Sequence, residues 1–572
     1  GKRDQRQPLP WTRLRVGAPV LLWEERPGAA PEAGWRGVVS RLERETIQVA
    51  FPNWPEPEAE RPLFRLDHAH DEVARQRQRQ ALEAARGAPA GRLGRLREVL
   101  LGRQPAQFRA PEDVPPLAAD LNASQIEAVR FALTAEDVAI LHGPPGTGKT
   151  TTLVELIRQI TRRGQTVLAC APSNLAVDNL LERLLAWGEP ALRLGHPARV
   201  LPALREHTLD LLVENHPEMD LARRLTREAH ALRDRAGKFR RARPAPGERQ
   251  AQRQEAREML AEARRIEGQL VDRLLDGARI ICATTTGLER ELLSRRVFDW
   301  CVLDEASQST EPGAWVPLLY AQRLVLAGDH CQLPPTVISP EAAAAGFNVS
   351  LMERLLAQLG PDLARRLAVQ YRMHADIMGF SAREFYADGL SAAPAVRAHR
   401  LCDLPGVAAA PLTETPAEFI DTAGAGYDEA AEPDGDSRYN PAEAEVVLER
   451  VRALLAAGLP AADIAVITPY AAQARWLRAA LGRPEVEIDT VDGFQGREQE
   501  AVLVSLVRSN REGEIGFLGD VRRMNVALTR ARRKLIVVGD SATIAAHPFY
   551  QRLVAYFEAL GAYRSVWEAA AG

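Results

Sequence analysis

Apolar residues in this chain come in short runs, each followed by a stretch with helical spacing. Between residues 138 and 326 the runs are Val138–Leu141, Thr166–Ala169, Arg279–Cys282, Trp300–Leu303 and Arg323–Leu326. A second series follows at Ile464–Ile467, Val486–Val491, Ala501–Val507 and Leu535–Val538. Short strands alternating with helices predict βαβ units and a parallel sheet, here twice. Ahead of them, residues 1–66 carry short β-like runs at Pro19–Trp23, Gly37–Leu42 and Thr46–Phe51, the last alternating at Ile47, Val49 and Phe51, with Gly and Pro between, which predicts a small β-barrel. Residues 67–105 turn polar and Arg/Gln-rich and predict a helical stalk. The expected division is then a first α/β domain over 106–345, interrupted by a charged helical hairpin at about 204–275 that breaks at Pro244–Gly247, and a second over 346–572. Within the second, the acidic, Gly-rich stretch 421–440 is expected to be a loop.

Composition changes this picture little. At 572 residues, 46% hydrophobic and 26% charged, the chain has the profile of a multidomain globular protein. No run reaches the ~18 apolar residues that span a bilayer, so no membrane association is expected. The five cysteines show no metal-binding spacing, and together with the absence of a leader they predict a reducing, cytoplasmic setting. The net charge of −3 advertises no basic field. Only four of the 73 basic residues are lysine, which makes Lys149 informative.

The first run leads into LHGPPGTGKTT. Gly143, four residues, then Gly148-Lys149-Thr150 is the spacing of a phosphate-binding loop, in the required strand-then-helix setting. Glycines let backbone N–H groups close on phosphates at a helix N-terminus. The run Trp300–Leu303 ends in Asp304-Glu305. Adjacent acids at a strand end are usually a turn into solvent. Beside a phosphate loop they gain a purpose: Asp304 with the Thr150 hydroxyl for Mg²⁺, and Glu305 to polarise a water.

Set beside GDHCQLPP (328–335), QYRMH (370–374), VDGFQGREQE (491–500) and NVALTRAR (525–532), these segments make the chain resemble a superfamily-1 helicase from about 120 to 540. The resemblance is to the 1B branch of the nonsense-mediated-decay helicase, senataxin and the immunoglobulin mu-binding helicase. It implies two tandem RecA-like domains with ATP and Mg²⁺ between them. Lys149, Asp304, Glu305, Gln332, Arg372 and Arg530 would be catalytic, the two arginines as fingers from the second domain. Gly143, Pro144, Gly146, Thr147, Gly148, Thr150 and Thr151 would hold the phosphates. Gln125, in LNASQ, would read the adenine edge, Tyr371 its face, and Gly496 and Glu498 would lie near the ribose or phosphates.

Nucleic-acid contacts are implied along one face: Pro172, Ser173 and Asn174; Thr284, Thr285 and Thr286; Thr468, Pro469 and Tyr470; Thr490, Val491 and Asp492. Small hydroxyls and amides suit sequence-blind phosphate contacts, although each is also an ordinary cap or turn residue. The expectation is a monomeric, ATP-dependent 5′→3′ helicase or translocase on single-stranded DNA or RNA. Its rivals are a nucleic-acid-stimulated ATPase that remodels complexes and a non-catalytic, ATP-switched clamp.

Overall fold

The computed structural model describes residues 14, 18–24, 34–43, 46–51, 64–68, 72–237, 248–293, 296–432, 437–494 and 496–570. The first strands are β1 (Pro19–Glu24), β2 (Trp35–Leu42), β3 (Ile47–Ala50) and β4 (Phe64–His68), paired antiparallel in the order β3-β2-β1-β4. Among the described residues β3 and β4 are edges, so the expected barrel is an open sheet here, and β4 runs two residues past the expected boundary at 66. Its core is small: Leu14, Val20 and Val39. The helices Glu72–Gly87 and Arg92–Leu100 cover the stretch expected as a helical stalk and pack on the first α/β domain. Ala81, Ala85, Leu96, Val99 and Leu100 are buried in the core of the first α/β domain, and Arg92 donates to the Leu318 and Leu319 carbonyls at 2.8 and 2.9 Å.

The first large sheet holds β5 (Val138–His142), β6 (Val167–Ala171), β7 (Ala191–Arg193), β8 (Ile280–Thr284), β9 (Phe298–Leu303), β10 (Ala321–Gly328) and β11 (Ala364–Arg366). All pairs are parallel, in the order β11-β5-β10-β9-β6-β8-β7. Helices cover both faces, which is why its strands read as unbroken apolar runs. Val138 and Ile140 pack into one core while Ala139 and Leu141 pack into the other, as the two-residue period requires. The expected boundary at 345/346 falls too early. Helix Leu351–Leu359 buries Leu351, Met352 and Leu355 in the first core, and β11 pairs with β5. The three-residue edge strand carries too few apolar residues to show in the sequence.

Helices Met219–Gly237 and Glu248–Gly277 pack along each other, with Arg273 donating to Glu218 at the junction. The break expected at Pro244–Gly247 lies outside the described residues. After two short parallel pieces, β12 (Val369–Gln370) and β13 (Ser391–Ala392), comes the second sheet: β14 (Ala417–Asp421), then, past the small hairpin β15 (Ala430–Ala431) and β16 (Arg438–Tyr439), β17 (Ile464–Thr468), β18 (Glu487–Thr490), β19 (Gln499–Ser505), β20 (Ala531–Gly539) and β21 (Tyr563–Ser565). Its order is β18-β17-β19-β20-β14-β21, again all parallel. No run in the sequence reading marks β14, although all five of its residues are buried. Glu418 interrupts its apolar pattern, and inside the fold that carboxylate lies 3.5 Å from the buried Lys534 ammonium. No helix among the described residues is long and apolar enough to cross a membrane.

Candidate nucleotide site and nucleic-acid face

β5 delivers the chain into the loop 143–148, and the helix Lys149–Arg162 starts at once. Gly146 and Gly148 have φ of 72° and 75°, a region that suits glycine. Space makes the same demand. A Cβ on Gly146 would sit 2.7 Å from Arg372 Cβ, and one on Gly148 would sit 2.6 Å from Gln125 Nε2. Thr147 Oγ1 donates to the Pro144 carbonyl at 2.7 Å and closes the turn.

Lys149 points back over this loop to the end of β9. Its ammonium, 13% exposed, lies 2.9 Å from Asp304 Oδ1 and also pairs with Glu305. Burial opposes the charge, but the two carboxylates outweigh it and hold the lysine well above its ordinary value. Glu305 sits at φ 51°, ψ 39°, a left-handed conformation rare for a residue with a side chain. Its backbone N–H is held by Asp304 Oδ1 at 2.8 Å, and its second oxygen accepts from Gln308 Nε2 at 2.6 Å. Thr151 Oγ1 accepts from Arg183 at 3.2 Å.

The second domain reaches this loop through Gln370–Met373. Gln370 is buried, and its side chain accepts from the N–H groups of Arg372 and Met373 at 2.8 and 2.7 Å. The Tyr371 N–H then donates to the Gly146 carbonyl at 2.8 Å. The Tyr371 ring is not core: it is 45% exposed, and its hydroxyl accepts from Asn122 Nδ2 at 2.9 Å. Gln125 differs from expectation. It is buried, donating to the Thr147 carbonyl and accepting from the Asn122 N–H, both at 3.0 Å. One end of its amide braces the loop at Thr147 and the other caps its own helix at Asn122.

Arg372 and Arg530 both lie at the seam. Arg372 pairs with Glu498 and donates to the Thr529 carbonyl at 3.0 Å, while its buried Nε has no partner. Arg530, 3% exposed, donates to Gln332 Oε1 at 2.7 Å. Burial, with the Arg372 charge nearby, pulls Arg530 down to about 9. Glu498 is not free near a ribose: Arg372 and Arg532 (2.6 Å) share its carboxylate and, against the effect of burial, hold it below the usual range. Gly496 is exposed at φ 78°. Asn122 and Gln370 lie within the LNASQ and QYRMH segments, but nothing in the sequence assigned them these roles, and Arg532 serves the site structurally by holding Glu498.

The expected nucleic-acid residues all follow strand C-termini, but they divide by burial. Thr285, Thr468, Tyr470 and Val491 are buried, so their side chains are corrected from contacts to supports. Ser173 caps the helix Asn174–Ala186 by accepting from the Ala176 N–H at 3.2 Å, and Asn174 holds Arg193 at 2.8 Å. Asp492 is exposed and pairs with Arg523 at 3.3 Å, so it positions a cation. Pro172, Thr284, Thr286, Pro469 and Thr490 remain partly exposed. Tyr470 lies under the exposed Phe517 ring, centroids 5.4 Å apart. Behind it, Glu443 accepts from Ser505 Oγ at 2.6 Å and from the Val507 N–H at 2.9 Å, while Val507 sits at φ 71°.

Two family models described as AAA domains match residues 120–340 and 347–542. The DNA-binding protein SMUBP-2 of Rattus norvegicus is 42% identical over 93% of this chain and 54% of its own length. The DNA polymerase alpha-associated DNA helicase A of Schizosaccharomyces pombe is 37% identical over 91% of this chain and 80% of its own. An ATP-dependent helicase of Methanocaldococcus jannaschii is 32% identical over 95% and 85%. The chain belongs to the superfamily-1B helicases. It spans about half the length of the SMUBP-2 proteins it matches, at 54%. In this family setting the seam between the two parallel sheets, where Lys149, Asp304, Glu305, Gln332, Arg372 and Arg530 converge, is the candidate ATP site.

Replacing Lys149 with Ala removes the one cation held by Asp304 and Glu305. ATP turnover is expected to vanish in a variant that folds, and a near-normal steady-state rate would refute the phosphate-loop assignment. Glu443 is pushed up to about 7 by burial, above its usual 4.5. A raised carboxylate favours the protonated fold, so stability should fall as pH rises from about 4.5 through about 7. Glu443→Gln should flatten that part of the melting-temperature profile, and an unchanged slope would remove Glu443 as its source.

Proposed function

We propose that this chain is an ATP-driven motor that moves 5′→3′ along single-stranded nucleic acid. The reading rests on one observation: the phosphate loop and two acids of the first domain face two buried arginines of the second across a single seam. The relatives support ATP as the nucleotide, and 5′→3′ movement is what the resemblance to the 1B branch implies. Two of the relatives carry DNA in their names, and the proposal covers DNA and RNA until both are assayed.

The donor set suits a hard divalent cation. Thr150 and Asp304 offer oxygen ligands beside the loop, and Asp304 is at present neutralised by Lys149. Mg²⁺ held there would neutralise phosphate oxygens. Lys149 would leave the two carboxylates for the nucleotide phosphates, freeing Asp304 as a ligand and Glu305 to orient the attacking water. Tyr371 presents an exposed ring beside Asn122 for the adenine face. Arg372 would exchange Glu498 for phosphate, and Arg530, held by Gln332, would report the γ-phosphate. Guanidinium suits both partners because its planar fork binds carboxylate and phosphate alike. Since both arginines come from the second domain, hydrolysis depends on how the domains meet. The same closure moves the two rows of strand ends that would grip the nucleic acid.

Glu305→Gln should retain nucleotide binding and lose hydrolysis, and loss of binding would make the residue a ligand instead of the base. Arg372→Ala and Arg530→Ala should each lower kcat by roughly 10³ or more, with ATP affinity falling less. Lys should rescue neither, lacking the fork. Steady-state ATPase with and without single strands checks this: full nucleic-acid stimulation in both variants would sink the two-domain mechanism. Unwinding of 5′-tailed against 3′-tailed duplexes, in DNA and in RNA, tests the polarity. ATPase stimulation without unwinding of either would favour a remodelling ATPase.

A further inference from the structure

Beside the start of the phosphate loop, the two domains are tied by a buried polar ring. Asp329, at the end of β10, accepts four hydrogen bonds. His142 Nε2 (2.9 Å) and the Cys331 N–H (3.1 Å) reach Oδ1, and Gln332 Nε2 (2.7 Å) and Tyr386 Oη (2.6 Å) reach Oδ2. Tyr386 closes the helix Ala375–Tyr386, whose apolar face lies in the second domain's core. Its hydroxyl also accepts from Asn525 Nδ2 at 3.0 Å, and the same nitrogen donates to the Cys331 carbonyl at 2.8 Å. The Thr529 hydroxyl donates to the Asn525 main-chain carbonyl, so the link from Asn525 to Arg530 runs along the backbone, and Arg530 returns to Gln332. The ring therefore runs Asp329, Tyr386, Asn525, Arg530, Gln332 and back to Asp329.

Its polarity is fixed. The Cys331 carbonyl accepts from the Asn525 carboxamide nitrogen, so Asn525 must donate to Tyr386. The Tyr386 proton must then go to Asp329. The other Asp329 bond on that oxygen holds the Gln332 nitrogen, which leaves Gln332 Oε1 facing Arg530. Four donors, with His142 charge helping, outweigh burial and hold Asp329 below the usual carboxylate range, while burial beside Asp329 keeps the Tyr386 hydroxyl protonated. His142, Asp329, His330 and Cys331 offer ligand atoms within 4.8 Å of one another, but the oxygens of Asp329 are already committed to these four donors. The Asn525 Oδ1 is buried without a partner, a cost the fold tolerates to keep the nitrogen where it is.

We propose that Tyr386 is a positioning residue for ATP hydrolysis: it ties the second domain to Asp329 and so sets the Gln332 amide that receives Arg530. The Tyr386 hydroxyl reaches Gln332 through Asp329, and its other partner is Asn525. The proposal rests on the motor reading, in which Gln332 and Arg530 act at the γ-phosphate.

The test is Tyr386→Phe, which keeps the ring in the core and deletes only the hydroxyl. Because the hydroxyl fixes the placement of the Gln332 amide, the nucleic-acid-stimulated kcat should fall about tenfold or more. KM for ATP should stay within about twofold, because the hydroxyl binds no part of the nucleotide. In a Gln332→Ala background the same substitution should cost little more, since both changes open one ring. Wild-type stimulation in Tyr386→Phe, or losses that multiply independently in the double variant, would overturn the proposal. A loss carried in KM with kcat intact would do so as well. If the wild-type chain itself showed no stimulation by single strands, the motor reading would fail instead, and the two failures are told apart by that control.

Discussion

Buried cations govern this structure. Lys149, Arg372 and Arg530 lie at the seam of two parallel sheets, where a charge without a partner would cost several kcal/mol. Each is met by a group of the protein: Lys149 by Asp304 and Glu305, Arg372 by Glu498, Arg530 by Gln332. These partners carry acceptor oxygens of the kind that a phosphate chain and its metal would bring. The site is thus held by substitutes for its ligand. In the proposed motor a triphosphate would take over the contacts that these carboxylates and the Gln332 amide now make, so the cations would not be desolvated afresh.

The fold makes this exchange mechanical. Parallel strands put every motif loop at the same edge of its sheet, and helices on both faces keep those edges rigid. The loop at Gly146 is narrow enough that the second domain's backbone, through Tyr371, bonds directly to it. In the proposed motor, a change at the phosphates would meet two second-domain arginines and one second-domain backbone contact without an intermediary. The Asp329–Tyr386–Asn525 ring beside the seam is the counterpart on the far side of Gln332.

Much of this was legible in the sequence, for identifiable reasons. Nine runs correspond to strands β5, β6, β8, β9, β10, β17, β18, β19 and β20, and all but the edge strand β18 are apolar because strands covered on both faces must be. The order of the motifs placed the family. What escaped was set by partners far apart in the chain. β14 hides behind Glu418, whose charge makes sense only beside Lys534. Thr285, Thr468, Tyr470 and Val491 follow the right strands but turn inward, and spacing alone carries no burial. Gln125 and Glu498 have the right chemistry for a nucleotide, yet here they serve the loop and Arg372, an assignment only the assembled seam displays. Tyr386 lies outside every motif and gained its role from Asp329 and Asn525.

The central claim is that nucleotide and single strand together redraw the seam between the two domains. Förster transfer between one label on each α/β domain measures that most directly. With a non-hydrolysable ATP analogue and a single-stranded oligonucleotide both present, the transfer efficiency should shift to a new value that neither ligand reaches alone. Arg530→Ala should leave it at the single-ligand value. An efficiency indifferent to both ligands would contradict the account, since the buried cations would then have exchanged partners without moving either domain.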